Sequence, residues 1–255
     1  DSIRCMLDAA REKRTAAGNL IRFIFTSSLA VYGGPLPDVV TYSTIATPEG
    51  AYGMGKLVSE MLVNEYTRRG FVDGVNLRLP TIVVRPGVPS AATSAFISGI
   101  IREPLHGVEA ICPVGTGLDS PELQLAAWVA SPETTVANFV IAKHIPSSKF
   151  LKHTRTVYLP GFTTTVKEEL DALAEVAGPD ALKLITFKVV VASPCRLSEP
   201  PTLIFQDDPI NRRIVGSWPA RFDNDYPCGL GFIKDEGGMV PIVRRFKEAV
   251  EAGLA

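Results

Sequence analysis

The chain is poor in the residues from which several kinds of protein are built. Its 255 residues include 4 cysteines, 3 histidines and 2 tryptophans. Cys5, Cys112, Cys195 and Cys228 show no CxxC spacing. That excludes a zinc ribbon or a disulfide framework and suits a reducing compartment, so a cytoplasmic location is expected. His106, His144 and His153 lack the spacing of metal ligands, and no metal site is expected. Neither sign of charge is in excess: 26 Lys+Arg stand against 27 Asp+Glu, a net charge of -1. A nucleic-acid partner is therefore not expected. No apolar run approaches the roughly 20 residues that cross a bilayer, so no membrane partner is expected either. No signal peptide is expected, and the sequence does not open on methionine. The chain opens on Asp1-Ser2-Ile3 inside a helical pattern, which leads us to expect that the true start lies upstream.

What is present is ordinary globular material, 46% hydrophobic and 21% charged, enough for one large domain or two smaller ones. Residues 3–17 carry Ile3, Met6, Leu7, Ala10 and Ala17 at helical spacing, with Gly18-Asn19 as a stop. The run Leu20-Ile21-Arg22-Phe23-Ile24-Phe25 is apolar on both faces, as in a buried parallel strand. It empties into Thr26-Ser27-Ser28 and a loop to about residue 50. A helix is expected over 51–69, ended by Gly70, and a strand over 75–79, closed by Pro80 and by Arg85-Pro86-Gly87. Helix, strand, helix, strand predicts right-handed βαβ units in an open parallel sheet, an α/β fold.

Beyond Pro86 the pattern is mixed. A short helix over 94–102 ends before Pro104. Strand-like pieces follow at 111–113 and 127–130. Ser131 caps a helix to about residue 143, with Pro132 in its first turn. A strand spans 156–161, Thr165 caps a helix over 166–177, and a last amphipathic helix covers 237–252. Two stretches look foreign: 189–205 (VVVASPCRLSEPPTLIF) and, more weakly, 115–125. Each reads as a surface loop. A rival reading of the first is translated non-coding sequence, which an intact mature transcript would remove. Trp128 and Trp218 suit a core or pocket wall, and Cys112 and Cys195 suit buried thiols. Glu168, Glu169, Asp171 and Glu175 are expected on a solvated helix face, and Arg244, Arg245 and Lys247 on another.

The chemistry concentrates in Tyr52-Gly53-Met54-Gly55-Lys56. Positions i and i+4 share one face of a helix. A lysine ammonium beside a phenol favours the phenolate and lowers its pKa from about 10. Such a tyrosine can take or give a proton near neutral pH. Thr26-Ser27-Ser28 sits at the carboxyl end of the first strand, where ligands gather in open α/β sheets. A serine hydroxyl there can bond a substrate hydroxyl or carbonyl.

Phe23-Ile24-Phe25-Thr26-Ser27-Ser28, Val31-Tyr32-Gly33, Ala51-Tyr52-Gly53-Met54-Gly55-Lys56, Arg78-Leu79-Pro80-Thr81 and Arg85-Pro86-Gly87 together resemble the extended short-chain dehydrogenase/reductase superfamily, NAD-dependent epimerase/dehydratase type. Further segments, among them Tyr66-Thr67-Arg68-Arg69-Gly70-Phe71 and Gly216-Ser217-Trp218-Pro219, resemble a branch that oxidises a small, D-erythronate-like sugar acid. The resemblance implies a partial Rossmann-type sheet over 1–88, with a strand at 154–161 returning to it. It implies a smaller mixed α/β substrate lobe over 89–153 and 162–255.

The resemblance also implies roles. Tyr52 would be the general acid/base, Lys56 would bond the nicotinamide ribose and tune Tyr52, and Ser28 would polarise the reacting C–O group. Thr26, Ser27, Leu79, Pro80, Thr81 and Ile82 would line the cofactor with Tyr52 and Lys56. Substrate would meet Ser28, Tyr52, Arg85 and Ser94. Arg85 suits bidentate capture of a carboxylate and equally suits bracing of the sheet edge. Arg102 is a weaker candidate of the same kind. The cofactor would be NAD, with NADP not distinguished, and a homodimer is compatible with the chain.

The phosphate-cradling glycine loop of that superfamily is not found. No GxGxxG or GxxGxxG follows a strand; Gly115-Thr116-Gly117 and Gly229-Leu230-Gly231 lack the spacing and the helix. The expected missing part is about 100 residues of βα units. It would leave the first strand with an unpaired edge, and this chain by itself would bind NAD poorly and turn over little. Two rival functions stay open: a sugar-nucleotide epimerase or dehydratase, and a non-catalytic remnant.

Overall fold

The computed structural model describes residues 2–87, 94–187, 189–192, 202–205, 213 and 216–255. Its first elements are α1 (Ser2–Arg11), β1 (Arg22–Ser28), α2 (Ala51–Arg68), β2 (Asp73–Leu79) and β3 (Thr81–Ile82). Then come α3 (Ala95–Leu105), β4 (Ala110–Cys112), β5 (Ala126–Ala130), α4 (Pro132–His144) and β6 (Thr156–Tyr158). Next are β7 (Phe162–Thr165), α5 (Val166–Ala177), β8 (Ile185–Phe187), β9 (Val189–Ala192) and β10 (Thr202–Phe205), and α6 (Asp225–Gly229) and α7 (Met239–Glu251) complete the order. The chain divides into two compact units. One comprises Asp1–Ile82, Trp128–Phe162 and Trp218–Asp235; the other comprises Val83–Ala127, Thr163–Ser217 and Glu236–Ala255.

The first unit is built on a parallel sheet in the order β1-β2-β6. Side chains alternate across it. Ile24, Val75, Leu77 and Val157 face one side, where Ala142 of α4, Ile145 and Phe150 cover them. Phe23 and Phe25 face the other, against Leu7 of α1 and Val63 of α2. Full burial of one such side chain is worth roughly 1.5–3 kcal/mol, an upper bound against an extended unfolded chain. Gly74 of β2 lies under α2, where a Cβ would fall 2.6 Å from Val63 and 2.4 Å from Thr67. Asn76 and Arg78 share that face, both bonded to Glu60 of α2. β1 ends the strand order, and among the described residues its outer edge is unpaired.

The expected alternation is present, with shifted ends. α1 stops at Arg11 rather than 17, because Glu12, Lys13 and Arg14 offer nothing to bury. Thr15 instead closes a turn, its hydroxyl accepting from the Asn19 N–H at 3.0 Å. α3 continues through Pro104, and its last turn is closed by the His106 N–H on the Arg102 and Glu103 carbonyls. β6 is shorter than the expected strand at 156–161.

In the second unit α5 opens with a capping box in which Thr165 accepts from the Glu168 N–H and the Glu168 carboxylate accepts from the Thr165 N–H. β4 and β8 pair in parallel, Ala110 opposite Ile185. Ile97, Ile100, Leu170, Leu173, Ile242 and Val243 are buried in this unit. Two expectations are corrected here. Glu169 does not lie on a solvated face: it is 1% exposed, because it shares the helical stripe of Val166, Leu170 and Leu173. The stretch 115–125 is a surface segment of bends with a 3-10 turn at Pro121–Gln124, as expected, anchored by the buried Leu123. The backbone of β9 pairs antiparallel with β10, so the ends of 189–205 are strands; Cys195 lies outside the described residues.

Candidate active site

β1 brings Thr26, Ser27 and Ser28 to the carboxyl end of the sheet, and its register sets Ser28 beside Leu79 and Ser27 beside Arg78. Ser28 leaves the strand in an extended conformation and caps the 3-10 turn Leu29–Val31. Its Oγ accepts from the Ala30 N–H at 3.2 Å, which leaves the hydroxyl proton to be donated. Thr26 is exposed, Leu79 half-buried and Pro80 buried. Thr81 and Ile82 form β3, opposite Val129 and Ala130 of β5.

α2 starts after Gly50, and Gly53 in its first turn packs against the turn after Ser28. A Cβ at Gly53 would fall 1.9 Å from the Ala30 carbonyl oxygen. Only a residue without a side chain permits that approach. The loop leading into α2 is tied down as well, the Thr47 hydroxyl donating to the Gly33 carbonyl at 2.6 Å. Tyr52 stands in the first turn of α2, 63% exposed. One turn on, Lys56 Nζ donates to the Thr26 carbonyl at 2.7 Å and lies 5.6 Å from the centre of the Tyr52 ring. An ammonium has three N–H donors. With one spent on Thr26, two remain beside an exposed phenol at the end of β1. That donor set fits a ligand rich in hydroxyls, such as the ribose of a nicotinamide nucleotide.

Ser27 turns inward. Its side chain is 2% exposed and its hydroxyl donates to the Glu60 carboxylate. Glu60 also takes a two-pronged bond from Arg78, Nε to Oε1 at 2.9 Å and Nη2 to Oε2 at 2.6 Å. Arg78 Nη1 donates to the Tyr32 hydroxyl at 2.6 Å. Burial pushes the Tyr32 phenol above its ordinary pKa, against the pull of Arg78. Burial disfavours the Arg78 charge, but its bonds to Glu60 and Tyr32 outweigh that and raise its pKa. The spacing Tyr52, Lys56, Glu60 puts all three on one helix face, which is the signal by which Glu60 could be found in the sequence.

Arg85 and Ser94 belong to the second unit. The Arg85 side chain is exposed, while its carbonyl accepts from Arg102 Nη1 at 3.1 Å. Arg102 is 6% exposed and paired with Glu103 at 2.5 Å, so its guanidinium braces the backbone of that unit. Ser94 precedes α3 without a side-chain capping bond.

Comparison with known proteins matches this chain to the NAD dependent epimerase/dehydratase family over residues 4–123. It is 44% identical over 228 residues to a D-erythronate dehydrogenase of Haemophilus influenzae, covering 89% of this chain and 64% of that protein. It is 40% identical over 255 residues to a D-erythronate dehydrogenase of Cupriavidus necator, covering 100% of this chain and 68% of that protein. The chain thus spans about two thirds of the length of the curated relatives it matches. Among solved structures, the nucleoside-diphosphate-sugar epimerase of Agrobacterium tumefaciens superposes with a TM-score of 0.81 at 34% identity, covering 100% of this chain and 66% of that one. An L-threonine dehydrogenase from Phytophthora infestans, with a TM-score of 0.75 at 18% identity over 99% of this chain and 70% of that one, shares the fold.

Proposed function

Because the chain belongs to the NAD dependent epimerase/dehydratase family, we propose that it works as a nicotinamide-dependent oxidoreductase acting on a hydroxyl of a small, D-erythronate-like sugar acid. One observation carries this reading: Lys56 is bonded to the end of β1 while Tyr52, on the same helix face, stays exposed beside it. The bound nicotinamide, which we take to be that of NAD, supplies the acceptor for the hydride. Tyr52 Oη takes the proton of the substrate hydroxyl. Ser28 Oγ donates a hydrogen bond to the same oxygen and fixes its direction. Lys56 keeps positive charge beside the Tyr52 ring and offers its two remaining donors to ribose hydroxyls. Thr26, Leu79, Pro80, Thr81 and Ile82 form the wall along which the cofactor lies. Ser27 contributes through its backbone, since its hydroxyl is spent on Glu60.

The division of labour is positional and electrostatic on the side of the protein. A cytoplasmic location goes with this reading, and no described helix is long and apolar enough to cross a membrane. Exposed Met54, Val58 and Met61 form an apolar stripe on α2 that supports a homodimer. The likeness to a nucleoside-diphosphate-sugar epimerase favours a second reading, turnover of sugar nucleotides on the same residues. The test is a substrate panel with protein expressed from the complete gene. Growth of reduced-nicotinamide absorbance with four-carbon aldonates and none with UDP-sugars is the expected result. Turnover of UDP-sugars alone would replace the first reading with the second.

A further inference from the structure

The ion pair behind Lys56 takes no part in the chemistry proposed above, yet it is costly to maintain. Glu60 is 2% exposed and the Arg78 side chain 11%. Removing two charges from water costs several kcal/mol per ion, and apolar replacements of such pairs are often as stable or more so. Stability alone therefore does not explain it, and its partners suggest another reason. The turn Leu29–Val31 that Ser28 caps is flanked by Ser27 on one side and Tyr32 on the other. Ser27 donates to Glu60, and Tyr32 accepts from Arg78. Both flanks of the turn are thus held by the two halves of one pair. Glu60 lies on α2 one turn beyond Lys56, and Arg78 lies on β2 directly opposite Ser27.

We propose that Glu60 and Arg78 are positioning residues: by gripping Ser27 and Tyr32 they hold the turn of Ser28 at a fixed place against the helix that carries Tyr52 and Lys56. The proposal rests on the reading of Ser28, Tyr52 and Lys56 as the reacting set. Within it, Gly53 supplies the close contact between α2 and the turn, and the ion pair prevents the turn from sliding along that contact.

Removing Glu60 or Arg78 alone leaves a buried unpaired charge and risks the fold. The test therefore uses Tyr32→Phe, which removes one hydroxyl and keeps the ring packed on Phe222. Ser27→Ala reads the other end of the grip, and serves if Tyr32→Phe does not fold. Two measurements are made on protein from the complete gene. The first is amide hydrogen exchange without cofactor. The Ala30 amide, which donates to Ser28 Oγ, is expected to exchange about tenfold faster, while the Leu77 amide in the middle of β2 keeps its rate. The second is turnover per folded molecule. We expect kcat to fall about three- to tenfold with substrate KM within about twofold, the mark of misplaced reacting groups. An unchanged Ala30 rate, acceleration shared equally with Leu77, or an unchanged kcat overturns the proposal. Tyr52→Phe keeps the two ideas apart. If that variant retains turnover, the catalytic reading fails. If it loses turnover while Tyr32→Phe and Ser27→Ala lose none, only the positioning role fails.

Discussion

Lys56 Nζ and the carbonyl oxygen of Thr26 are 2.7 Å apart, a bond that joins the helix bearing Tyr52 to the strand that ends in Ser28. Lys56→Met removes it, together with the two donors left for a ligand. Because the ammonium is near the surface, the fold should survive. We predict that nicotinamide affinity falls at least about tenfold and kcat about 100-fold, measured by calorimetry and by steady-state turnover with an unchanged circular dichroism spectrum.

Gly53→Ala sets two effects against each other. Alanine is the better helix former by about 1 kcal/mol. Its Cβ, however, would meet the Ala30 carbonyl at 1.9 Å, and both sides of that contact are backbone. Overpacking of this kind costs about 1–3 kcal/mol or more, so the clash wins. Denaturant unfolding should show a net loss of stability, and turnover should fall because α2 moves away from the turn of Ser28.

Glu169 gives a prediction about pH. Among the described residues neither of its carboxyl oxygens has a hydrogen-bond partner, and burial, helped by the charge of Glu168, raises its pKa well above the ordinary carboxylate value. The unfolded chain releases this proton near pH 4.5, whereas the folded chain keeps it to higher pH. Above the unfolded pKa the folded state thus holds more protons, and stability declines as pH rises toward the folded pKa. Glu169→Met removes that decline and the cost of an unpartnered buried carboxyl. It should stabilise the protein by about 1–3 kcal/mol at pH 8 and by less at pH 4, read from urea midpoints at the two pH values.

The parts legible in the sequence were those set by local spacing. Ser131 caps α4 by accepting from the Thr134 N–H at 3.1 Å, and Thr165 caps α5, both as their positions before a helical run imply. Tyr52 and Lys56 were readable from a four-residue interval and Ser28 from the end of an apolar run. The Glu60–Arg78–Tyr32 grip was not, because its members are 18 and 46 residues apart and meet only through the pairing of β1 with β2. Glu169 was misplaced for the opposite reason. Its charge suggested solvent, while its position on the stripe of Val166, Leu170 and Leu173 demanded burial. Where composition and periodicity disagreed, periodicity prevailed.

In the proposed chemistry the Tyr52 phenol carries the substrate proton. Tyr52 is largely exposed and its ring supports no core, so Tyr52→Phe should leave the melting temperature and nicotinamide affinity nearly unchanged. The decisive measurement is kcat of Tyr52→Phe on a four-carbon aldonate, with protein from the complete gene. A fall of about 100- to 10,000-fold is expected. A variant that turns over as fast as the parent would contradict it.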